Sequence, residues 1–196
     1  MGCDSLDVVI AHACADTRQT LQGVLDCLGH SIVGVCKSTN EMRAVCQEAN
    51  PGLIFSGVEM PGGDAITALV EMSESNPTPA IVVTPKMSLA NVEKALQDHV
   101  MAYLVEPVDA EQIKPTIYLV CQRFREFEAL KDENEDLKQT LADRKVIERA
   151  KGILMGQRGL SEPDAFRTLQ KLAQSKRMKL VRTAAEIIET AEASVE

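Results

Sequence analysis

The amino-acid sequence predicts a doubly wound α/β domain, then a long coiled-coil helix and a small three-helix bundle. Three observations carry this reading. Five short apolar runs alternate with longer amphipathic stretches over the first 108 residues. A narrow apolar stripe at heptad spacing starts at Val120. Three short amphipathic segments, separated by helix-start and helix-stop residues, fill the remainder. The expected divisions are 1–118, 119–145 and 146–196.

The first domain rests on its strands. Val8-Val9-Ile10-Ala11, Ile32-Val33-Gly34-Val35, Leu53-Ile54-Phe55, Ala80-Ile81-Val82-Val83 and Ala102-Tyr103-Leu104-Val105 are continuous apolar runs. Such runs suit parallel strands covered on both faces. Between them, 15–29, 39–50, 64–75 and 88–98 read as helices. Asp64 and Ser88 are N-cap candidates, and Gly29 fits a helix end. Alternating βα units make a doubly wound sheet, whose site lies at the carboxyl ends of its strands.

The loop Ser56-Gly57-Val58-Glu59-Met60-Pro61-Gly62-Gly63-Asp64 resembles the third-strand loop of a response-regulator receiver domain. Thr84 ends the fourth strand, and Tyr103-Leu104-Val105-Glu106-Pro107-Val108 resembles that family's fifth-strand ending. The resemblance covers roughly residues 6–118. It implies a flavodoxin-like fold with strand order 2-1-3-4-5, and a cis Glu106–Pro107 bond as in that family. Sequence alone makes trans the default. The chemistry implied by the family is missing. Its carboxylate nucleophile falls on Gly57. Its magnesium-holding acidic pair falls on His12 and Ala13. Its lysine falls on Glu106, whose charge repels phosphate. Only Thr84 remains. The domain is expected to be a pseudo-receiver without phosphorylation chemistry. Asp64 and Asp16 are more simply a cap and a helix start than substitute acceptors.

The helix that begins after Asp109 is expected to run on into the coil, as a stiff lever rising about 1.5 Å per residue. Val120, Phe127, Asn134 and Leu141 share heptad position a, and Leu130 and Leu137 share d. Leu at d with one Asn at a favours a parallel two-stranded coil. Glu126 then faces Lys131 of a second copy, and Glu133 faces Lys138. Arg123 and Arg144 occupy d at the two ends, so the seam is short. A parallel homodimer is expected through Phe127, Leu130, Asn134, Leu137 and Leu141.

Past Leu141 the stripe widens to Val146, Ile147, Ala150, Ile153 and Leu154, the pattern of a helix on a globular core. Gly156 and Gly159 are expected to stop it. Ser161-Glu162-Pro163-Asp164 reads as a capped start. Ala165, Phe166, Leu169, Leu172 and Ala173 form the expected buried face of the second helix. Lys176-Arg177-Met178-Lys179 is a basic turn. Leu180, Ala184, Ile187, Ile188 and Ala191 mark the third helix.

Charge is divided unevenly. The net charge of −8 combines −9 over 1–119 (6 basic, 15 acidic residues) with +1 over 120–196 (15 basic, 14 acidic). Within 144–182, 11 basic residues oppose 3 acidic ones, a net +8. That block points to a polyanion partner.

The segment Val146-Ile147-Glu148-Arg149-Ala150-Lys151-Gly152-Ile153-Leu154-Met155 resembles the ANTAR family. The likeness continues through Gly159-Leu160-Ser161-Glu162, Ala165-Phe166, Leu169, Ala173, Lys179-Leu180, Ala184 and Ile187-Ile188. Gln170 departs from the Arg common in that family. The resemblance implies an RNA-binding domain of antitermination regulators of the AmiR and NasT type. These act on structured leader RNA under the control of a protein partner. The candidate RNA-binding residues are Arg144, Lys145, Arg149, Lys151, Gly152, Arg158, Arg167, Lys171, Lys176, Arg177, Lys179 and Arg182. With Phe166 on the apolar face, no aromatic is expected to stack bases. The alternatives are a DNA-binding response regulator and a protein-binding scaffold. The acidic third helix, with Glu186, Glu189 and Glu192, suits the major groove poorly.

Composition is ordinary for a soluble protein. Hydrophobic residues make up 45% and charged residues 26%, enough for a core. No run approaches bilayer length and no secretory signal is visible, so no membrane association is expected. The six Cys lack paired short spacing, which suits thiols in a reducing cytoplasm. His12 with Cys14 lacks further ligands, so neither metal nor cofactor is expected. No nucleophile–base pair suggests an enzyme.

Overall fold

The computed structural model describes residues 5–85 and 100–192. It divides into two compact units, Met1–Glu128 and Ala129–Glu196. The expected helix 88–98 and its Ser88 cap lie outside the described residues.

The first unit is built on a five-stranded parallel sheet. Its strands are β1 (Asp7–Ala11), β2 (Ser31–Cys36), β3 (Leu53–Ser56), β6 (Ala80–Thr84) and β7 (Val100–Val105). They run in the order β2-β1-β3-β6-β7, as expected from the sequence. Side-chain alternation splits the core between two faces. Val9, Ala11, Ile54 and Val82 pack with Met42 and Cys46 of α2 (Thr39–Ala49) and Ile66 and Leu69 of α3 (Ala65–Ser73). Val8, Ile10, Phe55 and Ile81 pack with Leu21 and Leu25 of α1 (Ala15–Leu28). Ile113, Ile117 and Val120 complete that second layer. Each such large apolar side chain contributes about 1.5–3 kcal/mol on burial.

Local signals fix the helix ends. Gly29 closes α1 in the left-handed region at φ 82°. Ser38 accepts from Glu41 N at 3.2 Å, while Glu41 Oε2 accepts from Lys37 N at 2.9 Å. Asp64 caps α3 by accepting from Ile66 N at 3.1 Å. A small antiparallel pair, β4 (Glu59–Met60) and β5 (Gly63–Asp64), shapes the loop after β3. Gly62 turns it at φ 97°, where a Cβ would meet Thr39 Oγ1 at 2.6 Å. The Glu106–Pro107 bond is cis.

Helix α4 runs from Ala110 to Arg158. Its start belongs to the core of the first unit, and that changes one heptad assignment. Val120, the first a position expected, is fully buried beside Cys121 in the receiver-like core. Gly156 does not stop the helix, which continues to Arg158 because Gly is tolerated inside a helix at modest cost. The stop is Gly159, at φ 63°, whose N–H donates to Met155 O at 3.0 Å.

The second unit closes with α5 (Glu162–Lys176) and α6 (Leu180–Glu192). Ser161 caps α5, accepting from Asp164 N at 3.4 Å. Arg177 ends α5 in the left-handed region at φ 53°. Ala150 and Leu154 from α4, Ala165 and Leu169 from α5, and Ala184 and Ile188 from α6 form the core. The expected face of α5 needs one correction. Ala165, Leu169 and Ala173 are buried, but Phe166 is exposed. It lies one helical step, about 100°, from Ala165 and falls outside the core-facing stripe.

Candidate nucleic-acid interface and a degenerate phosphoacceptor pocket

The strand ends of the first unit bring together the residues expected at the degenerate pocket. His12, just past β1, is buried. Its Nδ1 accepts from Cys14 N at 3.2 Å, so the ring proton sits on Nε2. Nε2 faces Glu106 Oε1 at 3.6 Å. Gly57 N donates to Ala11 O at 2.8 Å, which seats Gly57 against the imidazole. A Cβ on Gly57 would stand 2.7 Å from His12 Cδ2. Glu106 N donates to Thr84 O at 2.9 Å, tying β7 to β6.

Two further residues, not foreseen from sequence, complete the pocket. The Thr17 hydroxyl donates to Glu106 Oε1 at 2.5 Å. The Arg18 guanidinium donates to the carbonyls of His12 and Ala13, the latter at 2.8 Å. A cation therefore lies on the backbone of the two positions on which the receiver family's acidic pair falls. The residues present do not fit magnesium. The two acidic positions are His12 and Ala13, the nucleophile position lacks a side chain, and a guanidinium takes the adjoining carbonyls. Among the described residues no group of three His, Cys, Asp or Glu could hold a metal ion. Cys14 spends its N–H on His12, so the two form a turn contact.

The basic residues of the 144–182 block fall into three groups. Arg144, Lys145, Arg158, Lys171, Arg177, Lys179 and Arg182 are exposed. Among the described residues no ion pair engages these seven. Arg149, Arg167 and Lys176 are exposed but paired. Arg149 meets Glu192, Arg167 lies 3.7 Å from Asp164, and Lys176 lies 2.7 Å from Glu186. Such exposed pairs are weak and separate readily for a phosphate.

Lys151 differs from the others. It is buried, and its Nζ donates to Glu148 at 3.0 Å and Glu162 at 2.7 Å. It also lies 5.9 Å from the centroid of the Phe166 ring. The hydrogen bond to Glu162, then that to Glu148, raises the ammonium pKa above its usual value. Lys151 in turn holds the Glu162 carboxyl below its usual value. Lys151, expected to touch phosphate, holds carboxylates of both α4 and α5 with its donors and so joins the two helices. Gly152 is exposed, and a Cβ there would meet nothing within 4 Å.

Along α4 the seam side chains face outward on the single chain. Phe127 is exposed, and Leu130, Leu137 and Leu141 are 65%, 57% and 60% exposed. Asn134 lies exposed among them. No described helix is long and apolar enough to cross a membrane.

Comparison with known proteins matches both units. The response regulator receiver domain model matches residues 8–118. The ANTAR domain model matches residues 135–188. The chain is 36% identical over 183 residues to the transcriptional regulatory protein PdtaR of Mycobacterium tuberculosis, covering 93% of this chain and 89% of that one. It is 37% identical over 71 residues to a nitrate regulatory protein of Klebsiella oxytoca, covering 36% of this chain and 18% of that one. Among solved structures, the signal receiver domain of a modulated diguanylate cyclase from Desulfovibrio desulfuricans aligns with a TM-score of 0.58 at 19% identity. That alignment covers 62% of this chain and 98% of that one. At that identity it speaks for the fold alone.

Proposed function

The chain belongs to the family of response regulators that carry a receiver domain followed by an ANTAR domain, and from that premise we propose that it is a phosphorylation-independent transcription antitermination regulator. It binds structured leader RNA hairpins as a parallel homodimer, and a protein partner controls it. The observation that carries the RNA reading is the set of seven exposed cations that no ion pair engages among the described residues, five on the small helical bundle and Arg144 and Lys145 at the end of the coil that leads into it, in an otherwise acidic chain. Each phosphate contact releases counterions, so such a surface favours a polyanion strongly at low salt. Glu186 and Glu192, on α6, spend their charge on Lys176 and Arg149. Even so, α6, the helix most like a recognition helix, carries Glu186, Glu189 and Glu192 and brings no net positive charge of its own to the major groove, which favours RNA over duplex DNA.

The dimer reading rests on Leu130, Leu137 and Leu141, exposed at heptad spacing around Asn134. A second copy in parallel register would cover them and pair the two Asn side chains. In this reading 1–118 senses a partner, 119–145 pairs two chains and 146–196 contacts RNA. The pocket supports partner control: with His12, Gly57 and Glu106 in place of the receiver groups, phosphotransfer does not supply the input, which leaves a protein partner or no control of this domain at all.

The test compares binding to a structured leader hairpin with binding to duplex DNA of equal length. Hairpin binding that weakens steeply with salt supports the proposal. Preference for the duplex would favour a DNA-binding regulator. Binding to neither would leave a protein-binding scaffold.

A further inference from the structure

The second unit carries an exposed aromatic ring beside two fixed carboxylates, an unusual feature on a surface otherwise suited to phosphate. Phe166 is 36% exposed. Lys151, buried beneath it, holds Glu148 at 3.0 Å and Glu162 at 2.7 Å. Both carboxylates remain more than half exposed. The cluster is anionic overall, one ammonium against two carboxylates, and would repel a phosphate. Lys151 engages both oxygens of Glu148 and Oε1 of Glu162, which leaves Glu162 Oε2 and the second lone pairs of the other oxygens to accept N–H donors, and the ring calls for a flat apolar partner.

The same surface turns cationic at its ends. Arg144, Glu148, Lys151, Met155 and Arg158 follow one another at spacings of four, three, four and three, so they share one face of α4. Arg144 and Arg158 are exposed at either end, about 21 Å apart along the axis. Met155, 37% exposed, adds apolar surface between them. Gly152 lies on the same side, with open space where a side chain would stand. A ligand that fits must offer anionic groups at its flanks and a flat, donor-edged group in its middle.

We propose that this face reads one unpaired nucleobase of an RNA loop, stacking it on Phe166 and accepting its N–H donors at Glu148 and Glu162, with Arg144 and Arg158 on the flanking phosphates. The proposal rests on the RNA reading above and deepens it. It assigns base recognition to an acidic-aromatic cluster and leaves phosphate contacts to the cations. Guanine fits best, because its N1–H and N2–H2 donors lie side by side and can meet one carboxylate with two bonds. Adenine and cytosine offer one amino group, and uracil a single N–H between two carbonyls. Lys151 is a positioning residue here: it fixes both carboxylates without facing the ligand.

The experiment titrates the full chain, at low salt, against hairpins sharing one stem. Their all-uracil loops carry a single guanine, adenine or cytosine at one position at a time. A guanine-containing loop is expected to bind about tenfold more tightly than the all-uracil loop. Phe166→Leu is expected to weaken the best loop about tenfold or more, with the salt slope unchanged. Phe166→Tyr, which keeps the ring, is expected to retain it. Glu162→Gln is expected to narrow the ranking of loops to about threefold, since an amide both donates and accepts. Arg158→Gln is expected to lower the salt slope by about 1 and leave the ranking intact. Phe166→Leu with wild-type affinity and ranking would overturn this inference and leave the RNA reading standing. A full chain that binds no hairpin better than duplex DNA would overturn the reading beneath it.

Discussion

His12 and Glu106 face one another at the carboxyl ends of the sheet, with Nε2 and Oε1 3.6 Å apart. They occupy positions at which a phosphorylated receiver has an acid and a lysine. The exchange reverses the sense of the pocket. A buried imidazole fills the space beside Gly57, a carboxylate replaces the cation, and Arg18 supplies positive charge at the backbone.

Phosphorylation is therefore expected to fail for steric as well as electrostatic reasons. Incubation with a small phosphodonor and magnesium, followed by intact mass, should give no stoichiometric phosphoryl adduct. Gly57→Asp should not restore one. Its Cβ would stand 2.7 Å from His12 Cδ2, so the variant should also lose about 1–3 kcal/mol of stability to overpacking. A phosphorylated Gly57→Asp chain of undiminished stability would contradict this account of the pocket.

The seam makes a separate prediction. Leu137→Asp places a carboxylate where a second copy should bury leucine, at a cost large enough to favour monomer. Sedimentation should show the shift. A variant that remains fully dimeric would place the subunit contact on another surface.

Lys151 and Lys171 should behave differently although both belong to the basic block. Lys151→Ala strands Glu148 and Glu162 beside each other and should lower the melting temperature of the bundle. Lys171→Ala removes an exposed charge and should change stability by no more than about 0.5 kcal/mol, while weakening RNA binding. Thermal unfolding of both variants checks this. Equal stability of the two would contradict the Lys151 link between α4 and α5.

His30 sets a pH limit on the first unit. His30 is buried, which lowers its pKa, and its Nδ1 accepts from Leu6 N at 3.3 Å. The unfolded chain then binds the proton more readily than the folded one. Stability from this site is complete above the ordinary histidine pKa and is lost as pH falls through the depressed folded value. A proton-resonance titration of His30 should give a midpoint below that of an exposed histidine. A midpoint at or above it would contradict the burial argument.

Much of the first unit was legible in the sequence because its signals are local. Continuous apolar runs marked the five strands of the parallel sheet, though not the short β4–β5 pair, and Gly29, Asp64 and Ser161 marked helix ends through their own backbone or side-chain bonding. The pocket was legible as a set of losses at His12, Ala13, Gly57 and Glu106. Its replacements were not, since Thr17 and Arg18 act on β1 and Glu106 through tertiary packing. A cation in the first turn after a site that lacks its acids was the signal available. Lys151 and Phe166 were misplaced for a related reason. Helical spacing gives a face but not its exact edge, and Glu162 reaches Lys151 across two helices. Val120 fits a heptad, yet the receiver-like core claims it first.

The central claim is that two basic bundles, paired by the coil, engage structured RNA together. It is tested most directly by titrating full-length protein against RNAs with one and two hairpin loops at several salt concentrations. The account predicts strongly salt-dependent binding, with the two-loop RNA bound more tightly by roughly a hundredfold through effective concentration. Full-length protein that binds neither RNA better than a scrambled strand of equal length would contradict it.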